Sequence, residues 1–486
     1  MGRIYSYIKE HPVLPAILFA LLFVALTLPG IDWGLPAGWN VGELVQRVVN
    51  ALHGEYQFDT DNFDYPSLPQ YVMYGLGWLV MESGGDTHEV MLAARAFSVL
   101  LGALIVFMTY LLAVRLRAST LGASLTATLV LTSYLMAEHA RIAHNDIYLA
   151  FFTLLVALAS LRYARGRRRG WFYLSCLLVG MAASSKYNGI SLALVPFGLH
   201  VLLYQQEPGE RRPSLVESGA LGALLLVLGY GVGTPTAILW PAFYFKRMLP
   251  AFFGHAVYQV QPGSQLGITG MWPSLIDALS PGFALLALAG LGLAVSRFAR
   301  RRQEAGLVSA LPWLVLPAML LAQALPTMLS YNHPKRFFLP LVPLLAALCA
   351  PAFDWLLAKL REPKLVLWRI IFVVLLLATL GYATARAIGL RLLFQNDARI
   401  EASEFLAGLP RGHSIEYTYY PPIINADQFD PNHQHSYPLH IRTSPDEELP
   451  TSPFYEFNQG EAGIEARHPD YLVIDSLTYQ RFFEDE

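Results

Sequence analysis

The residues of this chain able to do chemistry are carboxylates and cations placed at the ends of apolar runs. Ionisable groups in or at a membrane are costly to bury, which makes them functional candidates. Glu43 follows the first apolar run, in a long polar stretch that also holds Asp64 and Tyr65. A carboxylate there can act as a general base. It can equally be a first-turn acid stabilised by a helix macrodipole, since Val41, Leu44, Val45, Val48, Val49 and Leu52 recur at helical spacing around 42–52. Arg141, His144 and Asp146 sit in a short interval before another apolar run. Asp146 there faces the same space as Glu43 or caps the following helix, and the two roles are compatible. Lys186, Tyr187 and, further on, His333, Lys335 and Arg336 form a third set. A phosphate ligand would account for these cations through charge-assisted hydrogen bonds. Snorkelling to lipid headgroups is the other explanation.

Other polar groups have blander readings. Asp59-x-Asp61 starts like a calcium loop but lacks its glycine and later glutamate, so with Glu55 and Asp64 it reads as solvated loop. His433, His435 and His440 match no zinc spacing, and no metal site is expected.

These residues must be positioned by membrane spans. The 486 residues are 54% apolar and 14% charged, where soluble domains are about a quarter charged. A net charge of -2 gives no basic footprint for nucleic acid. Cys176 and Cys349 lie in apolar runs and read as small core residues. Apolar runs near 13–29, 91–113, 119–137, 147–163, 171–185, 188–204, 215–232, 275–296, 307–328, 337–353 and 366–389 imply about 11 transmembrane helices by the ~20-residue criterion. The first of these reads as a retained helix, because no small-residue cleavage pattern follows it. The intervals holding Arg115/Arg117, Arg162–Arg169, Arg211/Arg212, Arg297–Arg302 and Lys359–Lys364 fall on one face if the spans alternate. By the positive-inside bias that face is cytoplasmic, which puts the N-terminus inside and the C-terminal segment outside.

The expectation is an all-α polytopic membrane protein, residues 1–391, with a small extracytoplasmic α/β domain at 392–486. The 30–90 stretch is expected as an external loop with surface helices near 42–52 and 71–81. In the tail, 414–420 and 471–474 read as strands, with loop between about 421 and 468.

Several elements in order resemble a known family. Trp33-Gly34-Leu35-Pro36 followed by Glu43, Asp64-Tyr65-Pro66-Ser67-Leu68, Ala143-His144-Asn145-Asp146, Ser185-Lys186-Tyr187-Asn188-Gly189 and Arg336-Phe337-Phe338-Leu339-Pro340 are similar to elements of the GT-C superfamily of integral-membrane glycosyltransferases. The branch resembled is that of protein O-mannosyltransferases and aminoarabinose transferases. The resemblance runs over nearly the whole chain, with one departure. The family's Asp-Glu pair stands here as Gly42-Glu43, so that Glu43 or Asp146 takes the role of base or the activity is altered.

The resemblance implies transfer of a sugar from a polyprenyl-phosphate donor to an extracytoplasmic lipid, glycan or protein acceptor, with inversion. Lys186, Tyr187, Lys335 and Arg336 would bind the donor phosphate, and Asp64, Tyr65, Arg141, His144 and His333 would line the cavity. No cofactor is required on this scheme. A multi-pass protein of the inner membrane follows. The competing expectations are a transporter or flippase, or an altered relative acting by binding.

Overall fold

The computed structural model describes residues 12–206, 214–257, 265–436, 465 and 468–475, apart from Pro36, Val41, Asn332, Arg361, Tyr419, Tyr420 and Ala426. Arg211, Arg212, Arg361 and His440 therefore lie outside the described residues.

The apolar runs fold as helices because in hydrocarbon each backbone N–H and C=O must be satisfied within its own segment. Among the described residues, six helical stretches are long and apolar enough to cross a membrane. They are Thr87–Arg115, Asn145–Gly166, Leu215–Gly233, Pro281–Trp313, Leu341–Lys359 and Val366–Ala407. Shorter apolar helices occupy Val13–Thr27, Thr120–Leu131, Tyr187–Leu203 and Val315–Met328. The chain is thus a multi-pass membrane protein.

Helix ends follow capping chemistry. Asp86 and Glu89 form a reciprocal capping box at the start of Thr87–Arg115. Ser119 caps Thr120–Leu131 and hands its own amide and hydroxyl to Asp354. The Arg169–Ser185 and Leu215–Gly233 helices cross at glycines. A Cβ on Gly180 would lie 2.1 Å from the Leu226 carbonyl oxygen, and one on Gly229 2.2 Å from that of Leu177. Only glycine permits backbones this close, the usual device where lipid offers no hydrophobic drive to associate.

Three expected boundaries move. The run at 119–137 breaks at Thr132–Ser133 into Thr120–Leu131 and Tyr134–His139. The run at 275–296 starts inside Ile268–Leu279, breaks at Ser280 with φ 74°, and continues as Pro281–Ala310. The helix expected from Gly42 begins only at Val45. Glu43 precedes it and is no first-turn acid, because a buried arginine claims its carboxylate.

The chain divides into two units. The larger holds residues 1–31 and 42–391, the smaller 32–41 and 392–486. In the smaller unit, the Ala398–Ala407 helix is capped by Asp397, whose carboxylate also accepts from Arg399 and from Trp33 Nε1 at 3.0 Å. The Arg399 guanidinium lies 4.2 Å from the Trp39 ring centroid. These contacts fold the Trp33–Trp39 segment into this unit. Its sheet has order β2-β1-β3, with β1 His413–Tyr417, β2 Phe429–Ser436 and β3 Tyr471–Val473, all parallel. Ile415 pairs with Tyr471 and Tyr417 with Val473. Leu406, Ile415 and Phe429 form its core. β2 falls within the stretch expected to be loop. Its Asp430, Pro431 and Asn432 are poor strand formers, and an edge strand tolerates them.

Candidate functional site

The larger unit concentrates its buried charge at the start of the Asn145–Gly166 helix. His144 is the N-cap, and Asp146 in the first turn is fully buried. Asp146 Oδ1 accepts from Lys186 Nζ at 2.6 Å. Its Oδ2 lies 2.9 Å from His144 Nδ1. The Asp146 amide is 3.4 Å from that same nitrogen. The two contacts demand opposite tautomers. The shorter one, to a buried anion that needs donors, places the proton on Nδ1, donating to Oδ2. His144 Nε2 is then an acceptor, and it has no hydrogen-bond partner among the described residues.

Lys186 reaches Asp146 because the Arg169–Ser185 helix stops there. Its backbone is extended, φ -155° and ψ 134°, and the chain turns back into the 3₁₀ segment Tyr187–Ala193. Gly189 permits this turn, since a Cβ on it would meet the Ala182 backbone at 2.5 Å. The Lys186 ammonium also lies 4.2 Å from the centroid of the Phe337 ring. This brings the Lys186–Gly189 element beside the Lys335–Phe338 turn. From that turn Arg336 comes near enough for its charge to act on Tyr65, His139, His144 and Lys186. Arg336 Nε has no hydrogen-bond partner among the described residues. The Tyr65 ring stands edge-on to His144 at 5.7 Å, and the His139 ring is 6.5 Å away. Burial lowers the pKa of His144, and takes that of His139 down to about 3, so both imidazoles are neutral at pH 7.

Glu43 supports this cluster from behind. Arg95 Nε and Nη2 donate to its two oxygens at 2.8 and 2.7 Å, and both side chains are only 1% exposed. The Ala143 amide donates to Glu43 Oε1 at 2.7 Å, while the Leu44 amide donates to the Ala143 carbonyl at 3.0 Å. Arg95 Nη1 donates to the Ile31 carbonyl. Two polar segments are thereby clamped together one residue before His144.

The remaining expected site residues lie elsewhere. Tyr187 donates to the Phe63 carbonyl at 2.8 Å and meets Tyr244 at 3.3 Å. Lys335 pairs with Asp277, which Arg386 also reaches. Asp64 faces Arg47 at 3.8 Å. Arg141 is buried, donating to the carbonyls of Ala137 and Leu26. His333 packs against Gly270. Among the described residues no three His, Cys, Asp or Glu side chains are grouped to hold a metal ion.

Among the arginines, histidines and carboxylates in these contacts, five escaped the sequence reading, namely Arg47, Arg95, His139, Asp277 and Arg386. Arg95 carried a usable signal, a charge inside an apolar run that requires a buried partner. His139 and Asp277 stood at the margins of runs and carried none.

Residues 76–211 match the family model of dolichyl-phosphate-mannose-protein mannosyltransferase. That interval holds Arg95, His144, Asp146 and Lys186. The fold is similar to that of ArnT from Cupriavidus metallidurans bound to undecaprenyl phosphate. There the TM-score is 0.52 at 14% identity, over 96% of this chain and 91% of that one. It is also similar to the Archaeoglobus fulgidus oligosaccharyltransferase, TM-score 0.49 at 15% identity, over 85% of this chain and 62% of that one. A further similarity is to the Saccharomyces cerevisiae Pmt1-Pmt2 complex bound to its sugar donor, TM-score 0.35 at 17% identity, over 56% and 37%. The chain thus spans less than two thirds of the length of the latter two. No curated protein matches its sequence. The expected all-α polytopic membrane fold is thus the one observed, shared with that of ArnT.

Proposed function

We propose that this chain is a membrane glycosyltransferase that moves a sugar from a polyprenyl-phosphate donor to an acceptor hydroxyl, with inversion. The observation that carries this reading is the buried Lys186–Asp146–His144 array beside Arg336. It combines a proton acceptor with cations able to bind a phosphate, on a fold shared with a protein that binds undecaprenyl phosphate.

The acceptor oxygen attacks the anomeric carbon as the bond from that carbon to the phosphate oxygen breaks. The phosphate departs with the electron pair. Lys186 has three N–H donors and gives one to Asp146, leaving others for the phosphate. The Arg336 guanidinium adds a second cation, aimed at the charge that grows on the leaving group. His144 Nε2 takes the acceptor proton, and Asp146 stabilises the resulting imidazolium. Glu43 has both oxygens engaged, so its part is to hold the Ala143–Asp146 segment in place. Tyr187 is assigned no contact with the phosphate, since its one O–H donates to the Phe63 carbonyl, and Lys335 none, since it is half exposed and pairs with Asp277 outside the buried array.

The Lys/Arg distribution supports an inner-membrane orientation with the N-terminus cytoplasmic and residues 392–486 extracytoplasmic. Acceptors of lipid, glycan or protein class all present the required hydroxyl.

The test is sugar release and transfer from radiolabelled polyprenyl-phosphate sugars by protein in lipid nanodiscs. Wild type is compared with His144→Gln and Asp146→Asn. Transfer by wild type and its loss in folded variants supports the reading. Hydrolysis and transfer absent from wild type across a broad donor and acceptor panel would overturn it.

A further inference from the structure

A second concentration of charge lies at the other end of the helix that starts with the site. Asn145–Gly166 places Arg162 and Arg165 about 24 and 29 Å along the helix axis from Asp146, at ~1.5 Å per residue. There Arg115, at the end of Thr87–Arg115, and Arg168, just before Arg169–Ser185, join them around a cleft of about 450 Å³. Leu161, Gly166 and Trp171 complete its wall. The Arg162 guanidinium stacks 4.5 Å from the centroid of the Trp171 ring.

Two features set this cleft apart from an ordinary basic membrane flank. First, the arginines come from three different helix ends and line one open cleft, with Arg162 half-buried against Trp171 and the other three exposed. Second, none of the four pairs with a carboxylate among the described residues. By contrast, Arg300 and Arg301 pair with Glu304 on their own helix. Like charges lining one cleft repel, and the C-terminal ends of two helices offset that only in part. An anion with several oxygens removes the repulsion, because guanidinium forks match phosphate oxygens bidentately. The volume falls within the range of ligand sites. The position at span ends, with a tryptophan and a leucine in the wall, matches basic pockets between transmembrane helices that hold lipid headgroups.

We propose that Arg115, Arg162, Arg165 and Arg168, with Trp171, form a phosphate-binding cleft at the membrane face opposite the candidate transfer site, occupied by an anionic phospholipid headgroup. A soluble phosphate compound shares the recognition chemistry and would enter from the aqueous side.

The full chain is placed in nanodiscs of phosphatidylcholine alone, or with a minor fraction of phosphatidylglycerol or cardiolipin. Retained lipid is counted by native mass spectrometry, and inorganic pyrophosphate binding is measured by calorimetry. Arg165→Gln/Arg168→Gln removes two exposed arginines and leaves the Arg162–Trp171 stack intact. Arg165→Lys/Arg168→Lys keeps the charge, and Arg300→Gln/Arg301→Gln removes equal charge elsewhere. Thermal midpoint and gel filtration check folding. The expected result is selective retention of anionic lipid, weakened about tenfold by the Gln pair, partly restored by the Lys pair and unchanged in the Arg300/Arg301 variant. Pyrophosphate binding with the same mutational pattern and no lipid selectivity keeps the phosphate cleft and overturns the lipid headgroup. Binding of neither probe, or equal losses in the Arg300/Arg301 variant, overturns the cleft altogether.

Discussion

Glu43 accepts the backbone amide of Ala143 at 2.7 Å, one residue before the His144 N-cap. The same carboxylate is held by two nitrogens of Arg95, so the clamp is a buried ion pair with its lone pairs used. Removing one partner of such a pair strands a charge and costs about 3–5 kcal/mol. Arg95→Met and Glu43→Ala should each lower the thermal midpoint strongly. The double variant should recover part of the loss, because it buries no lone charge. Thermal unfolding in detergent micelles checks this. Additive losses in the double variant would mean the pair is not coupled.

His144 and Asp146 differ in what their removal should do. His144→Gln deletes the proton acceptor and should lower kcat by about 10²- to 10⁴-fold, with little change in donor KM. Asp146→Asn also frees Lys186 from its partner, so donor KM should change along with kcat. Burial lowers the pKa of His144, so wild-type activity should hold below pH 6.5 and then fall as the ring gains its proton. That acid limb should be missing from the residual activity of His144→Gln. The pH profiles of kcat for the two proteins decide it, and an unchanged limb assigns the proton to another group.

His139 gives a separate test on stability. In the unfolded chain its ring titrates near 6.5, whereas in the folded protein it stays neutral down to about 3. Between those values the unfolded state binds more protons. Stability should therefore fall as pH drops below 6.5, by up to about 1.4 kcal/mol per pH unit for this group. His144 acts in the same direction. His139→Leu should flatten the decline without abolishing it. Midpoints at pH 7.5 and 5.5 for both proteins measure this, and parallel declines would rule His139 out as the cause.

The sequence could show where charge meets an apolar run, and for that reason Asp146, Lys186 and Arg336 were legible as candidates. It could not show pairing across distance. Asp146 and Lys186 are 40 residues apart, in the first turn of one helix and at the end of another that packs against it. Glu43 illustrates the opposite difficulty. Its type and position suit a base, but its partner Arg95 lies 52 residues away, within the Thr87–Arg115 helix. The helical runs were readable because a lipid environment leaves the backbone few alternatives. β2 was not, because an edge strand of the small sheet tolerates residues that read as loop.

Lys335 and Arg336 are adjacent, and their environments assign them different work. Lys335 is half exposed and paired with Asp277, which Arg386 also neutralises. The Lys335 hydrogen bond holds the Asp277 carboxyl below its ordinary range. Exposed pairs of this kind contribute about 0–1 kcal/mol, so Lys335→Gln should leave donor KM within about twofold. The Arg336 charge acts on Tyr65, His139 and His144, and on Glu138 together with Lys335, with Arg336 Nε unbonded among the described residues. If that guanidinium meets the donor phosphate, Arg336→Gln should raise donor KM by about tenfold or more, and Arg336→Lys should restore only part, since an ammonium cannot bind two oxygens in parallel. Steady-state kinetics with a polyprenyl-phosphate sugar measure both residues. Equal effects at the two positions would place the phosphate outside the Lys186–Arg336 array, while a larger effect at Lys335 would move it toward Asp277 and Arg386.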